Sequence, residues 1–180
     1  VACALVFALA CGVAVPVPAL ADVRKADVVY GQTVDARGLS VAQCPNIDAE
    51  YALVMDADGT VYFERNATSP TQIASITKIM TALVALDYGG DPTQTEITVS
   101  QEAASIGEST AGLRAGDVLT LEAAIKALMI PSGNDAGQAL AESLGPKILE
   151  ELQKDKSIPE DEMPQNGYDA FVYAMNKKAL

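Results

Sequence analysis

Between Arg65 and Asp87 the chain carries one charge, on Lys78. A segment this long with a single ion belongs mostly out of water, and its apolar residues show how. Ile76, Ile79, Met80, Leu83 and Val84 recur at i, i+3, i+4, i+7 and i+8, the spacing of one helical face. The pattern predicts a helix from about Ser75 to Asp87, ending near Gly89-Gly90. Upstream, Ser69-Pro70-Thr71-Gln72 has the form of a capping box with proline at the first helical position, which predicts a short turn before that helix. Lys78 then sits in an apolar neighbourhood, with Ala82 and Ala85 beside it. A surface lysine is normally found among other charges.

The remaining chain alternates strand and helix signals. Tyr51 to Arg65 reads as two strands around Asp58-Gly59, a strong hairpin dipeptide. Ile97 to Ser100 is a short strand candidate, and 107–117 is a loop. Leu121, Ala124, Ile125, Leu128 and Met129 repeat the helical spacing, started by Thr120 and stopped by Pro131. Asn134 or Asp135 can cap a further helix, which Gly145-Pro146 is expected to end. Residues 150–167 are acidic and polar, as in a surface insertion. A last helix begins at Tyr168, with Phe171, Val172 and Met175 on one face. Glu122 and Lys126 suit an i,i+4 pair, and Asp56 and Asp58 suit a turn rather than a metal site. Residues 22–47 are weakly patterned and read as a lead-in, and no internal repeat is visible.

Residues 1–21 are uncharged and end in Ala19-Leu20-Ala21. This has the form of a signal-peptide apolar region with its cleavage site and predicts an exported protein. Both ends of the chain look cut. Cys3 and Cys11 would leave with the signal, so Cys44 would pair outside this stretch or stay a free thiol. The formal net charge of −12 opposes nucleic-acid binding, which needs clustered cations. There is no histidine, so neither a Ser-His-Asp triad nor a His-ligated metal can be built from these residues unless sequence outside them supplies one. Any general base is Lys, Asp, Glu or Tyr, and no metal or cofactor is called for.

Two short patterns carry chemistry. Ser75-Ile76-Thr77-Lys78 places a hydroxyl and an amine three residues apart, on one face of a helix. The helix N-terminus favours a developing alkoxide at Ser75. A sheltered Lys78 could take its proton, since burial disfavours the charged form of an amine. Pro131-Ser132-Gly133-Asn134 lies in the break between two helices. It reads as a plain pair of caps, or as a tight loop that projects a hydroxyl and an amide in one direction. The hydroxyl can relay a proton and the amide can hold a peptide carbonyl.

Ser-x-x-Lys followed by Ser-x-Asn is the motif order of penicillin-binding proteins and serine β-lactamases. The flanking segments resemble the D-alanyl-D-alanine carboxypeptidases: ALVMDADGTVYFERNA their opening hairpin, IASITKIMTALVAL their nucleophile helix, 97–145 the stretch through the second motif, and FVYAMNKKA the following helix. The resemblance covers about residues 48–180, read as the N-terminal part of a catalytic domain. It implies an α/β (α+β), β-lactamase/transpeptidase-like fold: an antiparallel sheet with packed helices and a helical subdomain holding Ser132, with later sheet strands beyond Leu180. It implies that Ser75 is the nucleophile, Lys78 its base, Ser132 the proton relay and Asn134 the substrate-binding amide. The implied partners are peptidoglycan stem peptides ending in D-Ala-D-Ala and β-lactam antibiotics, with membrane association through a segment beyond the given chain.

Three departures stand out. The Lys-Thr-Gly strand motif is absent and expected beyond Leu180, so this stretch alone should be inactive. Ile73 replaces a frequent proline. Residues 150–167 lengthen a connection expected to be short, and Glu162 to Asn166 faintly resembles the Glu-x-x-x-Asn of class A β-lactamases, although an acidic solvated loop explains it as well. Class A enzymes also prefer Asp where this chain has Gly133. The competing readings keep the fold: a β-lactamase, a peptidoglycan endopeptidase, or a non-catalytic cell-wall-binding relative.

Overall fold

A computed structural model describes residues 24–40 and 43–179. The apolar leader 1–21 lies outside the described residues. The chain divides into two compact units, one ending at Thr71 and one beginning at Gln72.

The first unit is a small antiparallel sheet. Strands β1 (Val28–Val29) and β2 (Gln32–Thr33) precede a single-turn helix α1 (Val34–Arg37), and strands β3 (Ala52–Met55) and β4 (Val61–Arg65) follow. The strand order is β2-β1-β4-β3. The expected hairpin is present: Ala52 faces Arg65 and Val54 faces Phe63, with a register shift between Val54 and Met55. Asp56 shapes its turn by accepting from the Asp58 N–H (3.0 Å), the Thr60 N–H (2.8 Å) and the Tyr62 hydroxyl (2.8 Å). Gly59 supplies the left-handed residue, with φ of 83°.

The weakly patterned lead-in turns out to contribute two strands. Val29 pairs with Phe63, and Val29, Val34 and Phe63 form a small core over which Leu39, Cys44 and Ile47 pack. Two-residue strands are too short to show a period. Below the sheet, Arg65 and Asp27 are both only 4% exposed. Arg65 Nε donates to both Asp27 oxygens at 3.0 Å and Nη2 to Oδ2 at 2.6 Å. Its Nη1 donates to the Ile47 carbonyl (3.1 Å) and the Ala49 carbonyl (2.7 Å). One guanidinium thus ties the lead-in, the 47–49 segment and β4 together.

The second unit is mainly helical. A 3₁₀ turn (Ala74–Ile76) leads into α2 (Thr77–Gly89). Strand β5 (Glu96–Thr98), helix α3 (Gln101–Ser105) and strand β6 (Val118–Thr120) follow, then α4 (Leu121–Met129), α5 (Asn134–Leu152) and α6 (Gly167–Lys178). Its core gathers Val84, Ile97, Leu121, Leu128, Leu140, Ile148 and Phe171, all within 1% of complete burial.

Several expectations hold. Thr120 caps α4 through its side chain, which accepts from the Ala123 N–H at 3.2 Å. The Glu122–Lys126 pair closes at 2.6 Å. Residues 106–117 form no helix or strand. The strand expected at 97–100 is shifted to 96–98, because Ser100 instead caps α3 by accepting from the Ala103 N–H at 2.9 Å.

Others need correction. The short turn expected before α2 is present as the 3₁₀ turn, but Ser69 to Gln72 do not cap it: it begins after Ile73 without a side-chain cap, and the Ser69 N–H closes a turn onto the Asn66 carbonyl at 3.1 Å. The buried face of α2 is Thr81, Ala82, Val84 and Ala85, whereas Ile76 and Ile79 are more than half exposed. The small side chains let the neighbouring helices close on α2, and the larger ones face away from that bundle. In α6 the buried residues are Ala170, Phe171 and Ala174, while Val172 is 39% exposed.

Helix α5 does not stop at Gly145-Pro146 but runs through it to Leu152. Pro146 lies on the exposed side, where water can satisfy the carbonyl that its missing N–H strands. Leu144 and Ile148 stay in the core. Gly145 is needed for another reason: a Cβ there would land on the backbone carbonyl of Gly167 at the start of α6.

Candidate active site

Ser75 is the middle residue of the 3₁₀ turn, and Lys78 is the second residue of α2. The predicted i, i+3 relation therefore brings them together: Lys78 Nζ lies 3.3 Å from Ser75 Oγ. From the break between α4 and α5, Ser132 Oγ lies 3.1 Å from the same nitrogen, and Asn134 Oδ1 accepts from it at 2.6 Å. One amine thus joins all four residues singled out in the sequence. Ser75 is exposed, whereas Lys78, Ser132 and Asn134 are half-buried.

Such a site offers a hydroxyl to an incoming carbonyl, with an amine in contact and a second hydroxyl on the amine's far side. Ser75 also precedes the N-terminus of α2, where unpaired backbone N–H groups favour negative charge. These are the parts of an acyl-transfer centre that uses lysine in place of histidine.

The backbone around the site is strained. Ala74, immediately before Ser75, has φ of 46°, and Ser132 has φ of 60°. Each occupies the left-handed region that costs an L-residue on the order of 1 kcal/mol. Gly133, between Ser132 and Asn134, is required by space. A Cβ on it would come within 2.7 Å of both the Ala127 carbonyl and Asp135 Oδ1. The Asp that class A β-lactamases prefer at this point has no room here.

Neither Asn134 nor Asp135 caps α5, which starts after Gly133 without a side-chain cap; Asp135 has another role. It is 2% exposed. Its carboxylate accepts from the Ala111 N–H (2.9 and 3.1 Å), the Leu113 N–H (3.0 Å) and the Ala136 N–H (2.9 Å). The 106–113 loop is fastened to the Ser132–Asn134 segment elsewhere too. The Asn134 N–H donates to the Ser109 carbonyl (2.8 Å), Ser109 Oγ donates to the Pro131 carbonyl (2.8 Å), and Asn134 Nδ2 donates to the Gly107 carbonyl (3.3 Å). A carboxylate next to an Ala-rich helical run, with no lysine or arginine within four residues, was the available sequence signal.

Burial pushes the Asp135 carboxyl up, but the backbone N–H groups of Ala111, Leu113, Ala136 and Gly112 outweigh it and hold it below the ordinary aspartate value of 3.8. A depressed folded-state value stabilises the fold fully above the unfolded-state value, about 3.9, and that contribution is lost as pH falls through the depressed value. Asp135→Asn should therefore cost about 2 kcal/mol at pH 7, since an amide turns N–H groups toward donors. It should also flatten the stability profile below about pH 4. Denaturant melts of the intact protein at pH 3 to 7 check both effects.

A cleft of about 630 Å³ opens beside these groups, lined by Ser75, Lys78 and Asn134 together with Thr81, Glu108, Gln138, Tyr168, Phe171 and Met175. Glu162 and Asn166 are not among its lining residues. Glu162 is exposed in a 3₁₀ turn, and Asn166 caps α6 by accepting from the Asp169 N–H at 2.9 Å. The faint class A likeness is therefore a solvated loop and a helix cap. Cys44, partly buried in the first unit, forms no disulfide among the described residues.

Comparison with known proteins gives the same family by three routes. The family described as D-alanyl-D-alanine carboxypeptidase matches residues 39–147. The D-alanyl-D-alanine carboxypeptidase DacF of Bacillus subtilis is 35% identical over 136 residues, covering 73% of this chain and 30% of its own length. DacC of Escherichia coli is 36% identical over 110 residues, covering 56% and 28%. The chain thus spans about a third of these curated relatives. Among solved structures, the carboxypeptidase DacD from Francisella tularensis matches with a TM-score of 0.57 at 31% identity, over 74% of this chain and 28% of that one. A Streptomyces DD-transpeptidase matches with a TM-score of 0.56 at 26% identity, over 75% and 48%. The family model spans more than half of the chain, and the chain belongs to the D-alanyl-D-alanine carboxypeptidase family.

Proposed function

We infer that the intact protein is an exported serine-type D-Ala-D-Ala carboxypeptidase that trims peptidoglycan stem peptides and is acylated by penicillins. The observation that carries this reading is the contact of Lys78 Nζ with both Ser75 Oγ and Ser132 Oγ. Ser75 Oγ attacks the carbonyl carbon of the D-Ala-D-Ala bond as its proton passes to Lys78. The carbon–nitrogen bond then breaks, and the proton reaches the departing amine through Ser132. Asn134 holds the peptide backbone, and the Ser75 N–H is one oxyanion donor. Water next attacks the Ser75 ester and frees the shortened peptide. Export is supported by the uncharged run of residues 1–21.

The carboxypeptidase reading is favoured over a β-lactamase because Glu162, the carboxylate in the segment that resembles the class A motif, does not line the cleft. The test is labelling of the intact protein with fluorescent penicillin, followed by peptide mapping. The expected result is one label, on the peptide containing Ser75, which is released slowly and is absent from Ser75→Ala. A folded protein that took up no label, or took it up on another residue, would overturn the reading.

A further inference from the structure

Among the described residues, two charged side chains line the cleft beside Ser75, Lys78 and Glu108. Lys78 is engaged by Asn134 and the two hydroxyls. Glu108 forms no hydrogen bond or ion pair through its carboxylate among the described residues. Its place is nonetheless set. The residues on either side are tied to the Ser132–Asn134 segment, Gly107 through its carbonyl to Asn134 and Ser109 through both its carbonyl and its hydroxyl. Glu108 itself is held at φ of 66°. An unpaired acid is thereby displayed on a fastened loop at the rim of the reactive cleft. Tyr168, Val172 and Met175 give the same cleft an apolar wall.

We propose that Glu108 is a specificity-determining residue that selects acyl-donor peptides bearing a free side-chain ammonium. The inference rests on the carboxypeptidase reading above. The leaving D-alanine carries a carboxylate, and a fixed negative charge repels it. The leaving half therefore lies away from Glu108, and the acyl-donor half occupies the Glu108 side. A donor residue with an aliphatic stem and a terminal ammonium suits both features, since its methylenes can lie on the apolar wall while its charge reaches the rim. Such a contact between exposed groups is modest and is weakened by salt.

The experiment compares two peptides with the intact protein: acetyl-L-Lys-D-Ala-D-Ala with its side-chain amine free, and the same peptide with that amine acetylated. The expected preference in kcat/KM is about fivefold for the free amine at low salt, of the size an exposed ion pair gives, and smaller in 0.5 M salt. In Glu108→Gln the ratio should fall to about one, and in Glu108→Lys below one. An unchanged ratio in Glu108→Gln overturns the proposal. So does a Glu108→Gln loss of activity that is equal for both peptides, which would make Glu108 a general contributor to the reaction and not a selector. Penicillin labelling of Ser75 in the same preparations separates the two failures. Labelled protein without a ratio change refutes the role of Glu108 alone, whereas unlabelled wild-type protein refutes the carboxypeptidase reading beneath it.

Discussion

Replacing Lys78 by arginine should abolish acylation of Ser75 about as completely as replacing it by methionine, with a fall on the order of a thousandfold in the rate of penicillin labelling. The size is that of a positioned general base, about 10² to 10⁴. The comparison matters more than the size. Arginine keeps the charge, the length and the ability to donate to Asn134 Oδ1, which accepts from Lys78 at 2.6 Å. It cannot give up its proton in a protein. If the amine serves only to hold Asn134 and the hydroxyls in place, Lys78→Arg should retain most of the rate. If it accepts the Ser75 proton, both variants are dead. Stopped-flow labelling of the two variants, with far-ultraviolet circular dichroism to show that each is folded, decides the matter.

The second large effect lies in the sheet unit. Asp27→Ala should destabilise that unit by about 3–5 kcal/mol, because it leaves a buried guanidinium with only carbonyl partners. The Arg65 and Asp27 side chains are 4% and 5% exposed, so water cannot take over the missing contact. The double variant Asp27→Ala with Arg65→Met should recover much of the loss, since removing both charges is far less costly than stranding one. Denaturant titration of the intact protein, read by proteolytic susceptibility of the 24–66 region, measures it. A single-variant cost below about 1 kcal/mol would mean that the sheet is held by Val29, Val34 and Phe63 alone.

These two sites mark what a sequence can and cannot disclose. The candidate site residues were legible through short local motifs and the family resemblance those motifs carry: Ser75 and Lys78 share a helix face by spacing, and Pro131 and Asn134 mark a break between helices. The hairpin at Asp58-Gly59 was legible for the same reason. What escaped is non-local. Nothing near Asp27 indicates a partner thirty-eight residues away, and nothing near Asp135 indicates that it fastens a loop twenty-two residues before it.

Of the apolar residues spaced along α2, Val84 is buried and Met80 packs on the core, but Ile76, Ile79 and Leu83 are exposed, because side-chain size does not decide which face packs. Close packing was achieved through Thr81, Ala82 and Ala85, and the bulky Ile79 was left outward. Proline signals a helix stop in sequence, yet α5 continues past Pro146. On a wetted face it strands only a carbonyl that water can reach, and the apolar side of the helix carries on.

The left-handed backbone at Ser132 narrows what substitution can do there. Chemically, threonine would serve as well, since it offers the same hydroxyl. A β-branched side chain, however, is a severe misfit at a positive φ, and position 132 stands at 60°. Swapping one alcohol for the other would therefore move the main chain before it touched the reaction, dragging the amide two residues on away from the amine it grips. Geometry, ahead of reactivity, explains why a small unbranched alcohol occupies that spot.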